Sequence, residues 1–382
     1  MIGVGLRGNL LGVAHQPGRG SVVVGICDLD ADLAQRRAKE LDLSPWTTTN
    51  WREVLAANDV DAVIVATPDF THEELVIGSL EAGKATFAEK PLAITTQGCD
   101  RILATAARVA AHGTRLYVGH NLRHYTVIRM MKDLIEDGAI GEVKAVWCRH
   151  FVGHGGDFYF KDWHAQQRHV TSLLLQKGAH DIDAIHWLAG GVSRLVQGFG
   201  NLGVYGSIAS RHNGTKHEDW FDQETGWPPA AQTGLHPEID VEDLSMIQMQ
   251  LSNGVLASYQ QCHYTPDYWR NYTVIGTEGR LENFGDVKGV IRLWNRRTGY
   301  SERGDRELPF NAGEGGHGGA DEKLMSEFIR FARIGGPTDT SPIGAREAVA
   351  AGCAGATSLR SGGVAVAISP PDPAVVRALT SS

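Results

Sequence analysis

The first third of the chain alternates between short apolar runs and longer amphipathic segments, and this alternation restricts the fold more than any other feature. The runs Ser21–Cys27 and Val60–Ala66 are mostly apolar, as are strands of a parallel sheet that is buried on both faces. His72–Ala82 has a helical pattern that Gly83 would end. The same alternation continues at Asp30–Leu41, Ala85–Ala88, Thr95–His112 and Arg115–Gly119. It predicts an α/β fold, a Rossmann-type doubly wound parallel sheet over residues 1–120.

The pattern changes after residue 120. His124–Asp137 is amphipathic, and an apolar helix is predicted from about Ser172 to Leu188. Strand-like runs occupy Val143–His150, Leu195–Tyr205, Leu244–Leu251, Val255–His263, Tyr272–Ile275 and Val290–Leu293, and helices return at Asp321–Ile334 and Gly344–Arg360. Residues 121–360 are therefore predicted to form an α+β domain with a large open, mainly antiparallel sheet. The polar stretch 210–236 is predicted to be an inserted loop or lid, and residues 361–382 an extended tail.

Length, charge and cysteine content exclude several classes of protein. At about 150 residues per domain, 382 residues fit two domains. The net charge of −8 disfavours nucleic acid, whose phosphates require a basic face. Five scattered cysteines without a C-x-x-C pair disfavour a disulfide framework or a structural zinc site. Because we find neither a signal-peptide pattern nor a run of about 18 apolar residues, we expect a cytoplasmic protein that does not bind membranes.

A glycine-rich pattern opens the chain. Gly3, Gly5 and Gly8 match G-x-G-x-x-G, with Arg7 inside the motif. Such glycines permit a tight turn, close approach of the backbone to a pyrophosphate, and close packing of the next helix. Asp28 follows about twenty residues later, where a carboxylate accepts hydrogen bonds from the adenosine ribose and repels a 2′-phosphate. These residues predict NAD rather than NADP as the cofactor. The alternative role for Asp28 is a helix N-cap.

Loops at the carboxyl ends of the predicted strands should also meet the cofactor. The residues of these loops that we assign to cofactor binding are Thr67, Pro68, His72, Glu89 and Lys90. Lys90 follows Glu89 directly, and a lysine at the edge of a dinucleotide crevice predicts a proton donor beside a hydride carrier. We expect the Lys90–Pro91 bond to be cis, because a tight turn must aim this lysine and X–Pro bonds adopt cis at modest cost.

A polar stripe marks the predicted helix of the second domain. Gln176, His180, Asp183 and Trp187 are spaced i, i+4, i+7 and i+11, so they share one face of a helix. Amide, imidazole, carboxylate and indole groups make a poor packing face, but they suit the hydroxyls of a polyol. His180 is therefore a candidate catalytic group together with Lys90. For His180 alone, a buried and hydrogen-bonded histidine is the simpler interpretation. Metal binding by His180 and Asp183 lacks a third ligand, so no metal is predicted.

Taken in order, these motifs resemble the Gfo/Idh/MocA family of sugar and cyclitol oxidoreductases. The residues that carry the resemblance are Gly3–Gly8, Asp28, Glu89-Lys90-Pro91, Val118–Arg123, His180 with Asp183, and Ile275–Leu281. The resemblance implies an N-terminal Rossmann domain, a C-terminal domain with a large open sheet, and NAD(P)-dependent interconversion of alcohol and ketone. It implies that Lys90 acts as acid/base or carbonyl polariser with His180 as its partner. It also adds two residues to the cofactor site, Asn121 and Trp163.

The chain departs from this family at several positions. Many members carry an Asp where this chain has Gln176, beside Lys177. The family's Trp-Arg pair near the nicotinamide is Trp163-His164 here, and His317–Asp321 resembles a segment found in only part of the family. The predicted substrate site comprises Lys90, His164, Gln176, Lys177, His180 and Asp183. Because an amide both donates and accepts, Gln176 predicts a substrate with a carbonyl, carboxylate or ring oxygen at that corner.

The sequence therefore predicts an NAD-dependent oxidoreductase that interconverts a hydroxyl and a ketone on a sugar, polyol, cyclitol or glycoside. Two alternatives stay open, a net glycosidic elimination through a keto-sugar intermediate and a non-catalytic NAD-binding sensor. The insert, with Trp220 and Trp227, would close over a larger glycoside. Apolar alternate residues in Leu244–Leu251 and Val255–His263 require cover on the open sheet. We therefore predict a homodimer or homotetramer formed through the C-terminal sheet.

Overall fold

A computed structural model describes residues 1–212 and 226–380 of the chain. The strands in chain order are β1 Gly25–Cys27, β2 Trp46–Thr48, β3 Ala62–Val65, β4 Ala85–Ala88, β5 Leu116–Val118, β6 Val143–Phe151, β7 Ser193–Asn201, β8 Leu244–Leu251, β9 Leu256–Cys262, β10 Trp269–Gly276, β11 Arg280–Phe284, β12 Lys288–Trp294, β13 Arg306–Asn311 and β14 Val366–Ala367. The α-helices are α1 Leu10–Ala14, α2 Ala31–Glu40, α3 Trp51–Ala56, α4 His72–Glu81, α5 Thr96–Ala110, α6 Thr126–Glu136, α7 Gly155–Tyr159, α8 Gln167–Val170, α9 Leu173–Gln176, α10 Gly178–Ala189, α11 Ala320–Ile334, α12 Pro342–Arg360 and α13 Pro373–Thr380.

Two units make up the chain, and both are discontinuous in sequence. The first comprises Met1–His124, Gly313–Arg346 and Pro371–Ser382; the second comprises Tyr125–Ala312 and Glu347–Pro370. Helix α11 belongs to the first unit because Phe328 packs edge-on against Phe87, with ring centroids 5.4 Å apart. Tyr117 also donates a hydrogen bond to Glu327 of α11 at 2.6 Å. In this division α11 groups with the first 124 residues, whereas the sequence placed it with residues 121–360.

The first unit contains the predicted parallel sheet. Strand β1 pairs with β2, and β3, β4 and β5 pair in that order, all in parallel. Ile2 joins the two sets, because it makes parallel bridges to both Cys27 and Val65. Its amide donates to the Ile64 carbonyl at 2.8 Å, and the Gly3 amide donates to the Cys27 carbonyl at 2.8 Å. The glycine-rich turn therefore leaves the sheet between β1 and β3, as a Rossmann-like fold requires.

The second unit is built on an open sheet of mixed but mostly antiparallel strands. Its order is β13-β12-β11-β10-β6-β9-β8-β7-β14, and β6 with β9 is a parallel pair. Along β8 every second residue is buried, from Ser245 to Leu251, which is the alternation of a sheet covered on one face. Helix α10 packs on β6 and β9. The predicted fold class is confirmed in both units.

Two segments differ from the sequence prediction for identifiable reasons. The predicted extended tail instead contains β14 and the helix α13. Pro373 is the first residue of α13. A backbone N–H at this position has no acceptor within the helix, so proline, which lacks the N–H, loses no hydrogen bond there and favours the start of a helix. Strand β13 escaped notice because it is charged and contains Pro309. It lies at the edge of the sheet, where charges and proline are tolerated.

The described ends of the insert 210–236 are anchored in the second unit. Arg211 forms a parallel bridge with Leu235, and Leu235 is fully buried. Trp227 is 46% exposed, whereas Trp220 belongs to 213–225, outside the described residues. The structure therefore fixes the base of the insert.

Two expectations drawn from composition concern cysteines and membranes. All five cysteines are free thiols, three of them buried and two half-buried. They behave as small apolar side chains, as the sequence indicated. Within residues 1–212 and 226–380, every helix is too short or too polar to cross a bilayer.

Candidate functional site

In the first unit, the residues assigned to the cofactor follow the carboxyl ends of parallel strands. Asp28 comes directly after β1, Thr67 comes two residues after β3, and Glu89 comes directly after β4. Asn121 begins a short 3-10 turn after β5. This edge of an open parallel sheet is where ligands bind. The structure therefore brings these predicted residues to one edge of one sheet.

Each glycine of the turn meets a different constraint. Gly3 has φ +82°, and a Cβ there would lie 2.7 Å from the Ala66 carbonyl oxygen. A Cβ at Gly8 would lie 2.5 Å from the Val4 carbonyl oxygen, so this glycine is required for packing within the turn. A Cβ at Gly5 would meet no atom within 4 Å. The space in front of Gly5 is open, which fits close approach of a pyrophosphate to the backbone.

Asp28 is bound to the glycine-rich turn. Its Oδ2 accepts a hydrogen bond from the Val4 amide at 2.8 Å, and its Oδ1 accepts one from the Asp30 amide at 3.0 Å. The N-cap of α2 is Asp30, whose carboxylate accepts from the Leu33 amide. The alternative role of Asp28 as that cap is therefore wrong. Each Asp28 oxygen retains a lone pair that can accept from a ribose hydroxyl.

Arg7 links the glycine-rich turn to two carboxylates. Its Nε donates to Glu89 Oε1 at 2.7 Å, and its two terminal nitrogens donate to Asp321 at 2.9 and 3.0 Å. The second Glu89 oxygen accepts from the Lys90 amide at 3.0 Å. His317 Nδ1 lies 2.9 Å from Asp321 Oδ2. A continuous chain of charge-assisted hydrogen bonds thus runs from α11 through the glycine-rich turn to the backbone of Lys90.

The charges of this cluster stabilise one another. Burial alone would lower the pKa of Arg7, but the charges of Glu89 and Asp321 outweigh it and raise that pKa. Burial alone would raise the pKa of Asp321, yet hydrogen bonds from His317 and Arg7 lower it. Arg7 is therefore cationic and Asp321 anionic across the range in which enzymes work. Arg7 and Glu89, both predicted as cofactor residues, contact each other directly.

Lys90 lies in a short connection that His72 holds in place. The Lys90–Pro91 bond is cis, as predicted. The two ring nitrogens of His72 lie 2.7 Å from the Pro91 carbonyl oxygen and 2.9 Å from the Thr67 carbonyl oxygen. His72 is fully buried, so it links the loop after β3 to the loop after β4 from the protein interior. Lys90 itself is half-buried. In the loop after β3, the carbonyl of Pro68 accepts a hydrogen bond from the Thr71 hydroxyl.

In the second unit, a buried carboxylate fastens α10 to the sheet. Asp181 accepts hydrogen bonds from His150 Nδ1 at 2.9 Å and from the Tyr259 hydroxyl at 3.0 Å. The Tyr272 hydroxyl donates to its other oxygen, and Arg270 Nε forms an ion pair with that oxygen at 2.7 Å. These partners come from β6, β9 and β10. Asp181 therefore sets the distance and rotation of α10 over three strands.

Burial and the charge of Arg270 together set the ionisation states in this network. Burial alone would raise the pKa of Asp181, but Arg270 and the hydrogen bond from His150 outweigh it and lower the pKa. Burial and the charge of Arg270 lower the pKa of His150 to about 3. Asp181 is therefore ionised and His150 neutral near pH 7. A buried ion pair of this kind is costly to break, because one charge would remain without its partner.

The predicted substrate residues lie around a break in the helix. Gln176 ends α9, Lys177 stands between α9 and α10, and His180 is in the first turn of α10. Gln176 and Asp183 are buried, whereas Lys177 and His180 are half-buried. Burial, followed by the charge of Arg270, lowers the pKa of Lys177 to about 8. This group can therefore exchange a proton near neutral pH.

The polar stripe is shorter than predicted. Trp187 packs against α6, where the Arg129 guanidinium and the Lys132 ammonium lie 5.7 and 6.0 Å from an indole centroid. Trp187 therefore serves helix packing through cation–π contacts rather than a polyol face. The spacing of residues does not show which neighbouring element covers a helix face. Trp187 was therefore wrongly assigned to a face that contacts substrate.

Tyr159 brings other predicted residues together. Its ring lies edge-on to His164 and His263, with centroids 5.4 and 5.2 Å apart. The Lys177 ammonium is 5.7 Å from the same ring. Trp163 stacks on His164 at 3.7 Å. Lys177, His164 and Trp163 thus belong to one aromatic cluster, and His263 joins it without having been predicted.

Comparison with protein families matches both units of the chain. A model described as an oxidoreductase family with an NAD-binding Rossmann fold matches residues 1–120. A model of the GFO/IDH/MocA C-terminal domain matches residues 128–282. The two models describe one family and together span more than half of the chain. The chain belongs to the Gfo/Idh/MocA oxidoreductase family. Its first unit is therefore an NAD-binding Rossmann domain.

Relatives within the Gfo/Idh/MocA family are distant. Bacillus subtilis YteT, an oxidoreductase by name, is 26% identical over 80% of this chain and 82% of its own length. The inositol 2-dehydrogenase/D-chiro-inositol 3-dehydrogenase of Shouchella clausii is 37% identical, over 44% of this chain and 46% of that enzyme. Levoglucosan dehydrogenase, solved with NADH and levoglucosan, superposes with a TM-score of 0.78 at 20% identity, covering 96% of this chain and 98% of that one. At this identity, the superposition shows a shared fold.

Several residues of the site escaped the sequence analysis. Asp321 was named only as part of a motif, because its contact with Arg7 joins residues 314 apart. Asp181 was passed over beside His180. A usable signal existed for Gln261 and His263, which continue the buried alternation of β9 beyond Tyr259. Polar residues at inward positions of a half-buried strand indicate a hydrogen-bonded network or a ligand site.

Proposed function

We propose that this chain is an NAD-dependent dehydrogenase that interconverts a hydroxyl and a ketone on a sugar, polyol, cyclitol or glycoside. The observation that carries the proposal is the anchoring of Lys90. Its backbone amide is held by Glu89, which Arg7 holds against the glycine-rich turn. The backbone that carries this titratable amine is thereby held at the edge of the sheet where the nicotinamide cofactor binds in this fold. That arrangement supports acid–base chemistry beside a hydride acceptor.

The described residues fit NAD. Gly5 leaves open space before the backbone, and Asp28 presents carboxylate lone pairs at the carboxyl end of β1. A 2′-phosphate placed there would meet like charge, which favours NAD over NADP. Thr67, Pro68 and Asn121 lie at the same edge of the sheet. When bound, the nicotinamide ring supplies the hydride acceptor.

Lys90 and His180 are the acid/base pair in this proposal. One of them takes the proton of the substrate hydroxyl while hydride leaves the carbinol carbon. The other donates a hydrogen bond to the developing alkoxide oxygen. Such proton transfer contributes typically ~10²–10⁴-fold to the rate. Lys177, whose pKa is lowered to about 8, would add positive charge beside the substrate, and Gln176, His164 and Asp183 would contact its other groups.

A substrate panel tests this function. Purified protein is mixed with NAD and, separately, NADP, and with neutral sugars, polyols, cyclitols and sugar acids, while absorbance of the reduced nicotinamide is followed. We expect reduction of NAD with at least one member of the panel. NADH binding without turnover on any member would contradict the proposal and favour the sensor interpretation.

The open face of the sheet supports assembly into a dimer or tetramer. On this face Trp147, Met246 and Leu256 are 51%, 46% and 59% exposed, on three strands that neighbour one another. Large apolar side chains exposed on one face of a sheet favour a protein–protein interface. We therefore propose that two copies pack sheet to sheet. Sedimentation velocity at micromolar concentration should show a dimer or tetramer, and Trp147→Glu should shift it toward monomer. A monomeric wild-type chain would contradict this arrangement.

A further inference from the structure

Three side chains of the first unit converge on a small polar cluster, formed by His124, Glu327 and Asp339. His124 ends the 3-10 turn that follows β5, Glu327 lies on α11, and Asp339 lies in the loop before α12. Each side chain offers one ligand atom, an imidazole nitrogen or a carboxylate oxygen, and the three atoms lie within 4.8 Å of one another. Nitrogen and oxygen atoms of this kind are ligands that zinc takes in proteins.

The gap between His124 and Glu327 suits a bridging ion better than a hydrogen bond. His124 Nε2 lies 3.7 Å from Glu327 Oε2, which is longer than a hydrogen bond between these atoms. Two ligands that each lie about 2.1 Å from a tetrahedral zinc ion are separated by roughly 3.4 Å. The two atoms therefore stand close to the positions that zinc requires, and a small shift of either side chain seats the ion.

Burial gives the cluster a need for positive charge. The side chains of His124 and Glu327 are 4% and 13% exposed, and Asp339 is half-buried. A carboxylate that is withdrawn from water is stable only when a compensating charge or hydrogen bonds accompany it. A divalent cation held by one neutral imidazole and two carboxylates forms a complex without net charge. Because one of the ligands is an imidazole, zinc is favoured over magnesium and calcium, which prefer oxygen ligands alone.

Hydrogen bonds from neighbouring groups hold two of the three ligands in place. The Tyr117 hydroxyl donates to Glu327 Oε2 at 2.6 Å, and the Asp339 amide donates to Glu327 Oε1 at 2.9 Å. Arg123 donates to the Asp339 carbonyl at 2.7 Å and so fixes the backbone of that residue. Each Glu327 oxygen keeps a further lone pair for a metal ion. Contacts of this kind orient metal ligands and are typical of metal sites.

A buried hydroxyl beside the cluster supports a fourth, water ligand. Thr340 follows Asp339 and is 1% exposed. Its Oγ1 has no hydrogen-bond partner among the described residues. Burial raises the pKa of Tyr117, and the Thr340 hydroxyl lies close enough to act against that shift, which places it next to the Tyr117 hydroxyl. A zinc ion with three protein ligands carries a water in its fourth position. Such a water supplies the hydrogen bond that the Thr340 hydroxyl lacks.

We propose that His124, Glu327 and Asp339 bind a zinc ion that fastens the turn after β5 to α11 and to the loop before α12. The same turn begins at Asn121, whose amide nitrogen lies 3.4 Å from Asp321 Oδ1 at the start of α11. Zinc therefore ties the second end of a turn whose first end already contacts this helix. The ion has a structural role, so the inference does not depend on the proposed dehydrogenase activity.

Zinc binding is measured on the whole chain after treatment with EDTA and dialysis. We expect calorimetric titration with zinc chloride to show one zinc per chain, bound with a dissociation constant in the micromolar range or below, and much weaker binding of magnesium. Asp339→Asn removes one ligand while it keeps the shape of the side chain, so affinity should fall by roughly 100-fold or more. The control is Glu314→Gln, an exposed carboxylate of the same unit. It should bind zinc within about twofold of the wild type.

Thermal unfolding shows whether each variant is folded and gives an independent readout. Zinc should raise the midpoint of unfolding of the wild type and Glu314→Gln by several degrees, because a ligand that binds the folded state stabilises it. It should leave the midpoint of Asp339→Asn unchanged. Cobalt(II) bound to the wild type should show the strong visible absorption of a tetrahedral site, which requires no variant.

Three results would overturn the zinc site. They are no zinc binding by the wild type, equal zinc affinity in Asp339→Asn and Glu314→Gln, and a cobalt(II) spectrum with only the weak absorption of an octahedral ion. In each case the cluster is an ion pair and hydrogen-bond network that holds α11 without a metal.

Discussion

The polar clusters of the two units differ in what they leave for a ligand. Around Arg7, Glu89 and Asp321, each charged group binds another protein group, and the cluster holds its own geometry. Around Asp181 the charges are likewise paired, but the adjacent His150 and Gln261 retain atoms that no described residue satisfies. The difference suggests a division of labour. A cofactor shared by many enzymes can be held by backbone shape and internal ion pairs. Binding a particular substrate requires polar atoms that no protein group already satisfies.

Loss of Lys90 should have the largest effect. Lys90→Ala should reduce turnover by about 10²–10⁴-fold, because proton transfer at the reacting carbon loses its positioned group. NADH affinity, measured by fluorescence, should change little, since the glycine-rich turn and Asp28 are untouched.

The matched variant is Lys90→Arg, which keeps the charge. Arginine does not release its proton near neutral pH. It should therefore fail to restore turnover, and near-normal rates in either variant would contradict the role of Lys90.

Removal of the Asp181 charge should cost stability. Asp181→Asn leaves Arg270 buried beside a neutral group, so the free energy of unfolding should fall by about 3–5 kcal/mol. Urea unfolding followed by fluorescence measures it. Asp267→Asn, at an exposed position, should stay within about 0.5 kcal/mol of the wild type. Equal effects at both positions would show that the Asp181 network contributes little.

His150 should make stability depend on pH. Its pKa is about 3 in the folded chain and 6.5 in a model peptide. Between these values the unfolded chain binds more protons, so stability falls as pH drops from 6.5 toward 3. His150→Asn should flatten this dependence by up to about 1.4 kcal/mol per pH unit. His112→Asn, at an exposed position, is the control and should leave the dependence of stability on pH as it is in the wild type. If the free energy of unfolding changes with pH equally in the wild type and in His150→Asn, the His150 imidazole is not buried in its neutral form.

Asp28 should set the preference for NAD. Asp28→Asn removes the charge that repels a 2′-phosphate, so the ratio of kcat/KM with NAD to that with NADP should fall by roughly tenfold. Initial rates with each cofactor give the ratio. A wild-type chain that already prefers NADP would show that Asp28 does not face the ribose.

Gln176 should have the smallest effect. Gln176→Asp replaces a donor-acceptor amide with an acceptor, so KM for accepted substrates should shift by between about two- and tenfold. The control is Gln97→Asp, at an exposed position of α5. If KM for every substrate stays within about twofold, Gln176 does not contact substrate.

The sequence predicted local patterns well and long-range contacts poorly. Apolar runs and the glycine motif located β3, β4 and the edge where Asp28 and Lys90 lie, because these signals repeat within a few residues. The contact between Arg7 and Asp321 joins residues 314 apart, and no periodicity encodes it. Trp187 shared the spacing of the polar stripe, but α6 covers it. Which face of a helix or strand is covered is decided by tertiary packing, so that information is missing from the spacing.

The division of labour between the units is the central claim, and a crossed pair of dissociation constants tests it most directly. NADH affinity and the affinity for an accepted substrate at saturating NADH are measured for Asp28→Asn and Gln176→Asp. Asp28→Asn should weaken NADH binding and leave substrate binding within about twofold, while Gln176→Asp should do the reverse. If both variants weaken both ligands alike, cofactor and substrate recognition are not separate, and the account is contradicted.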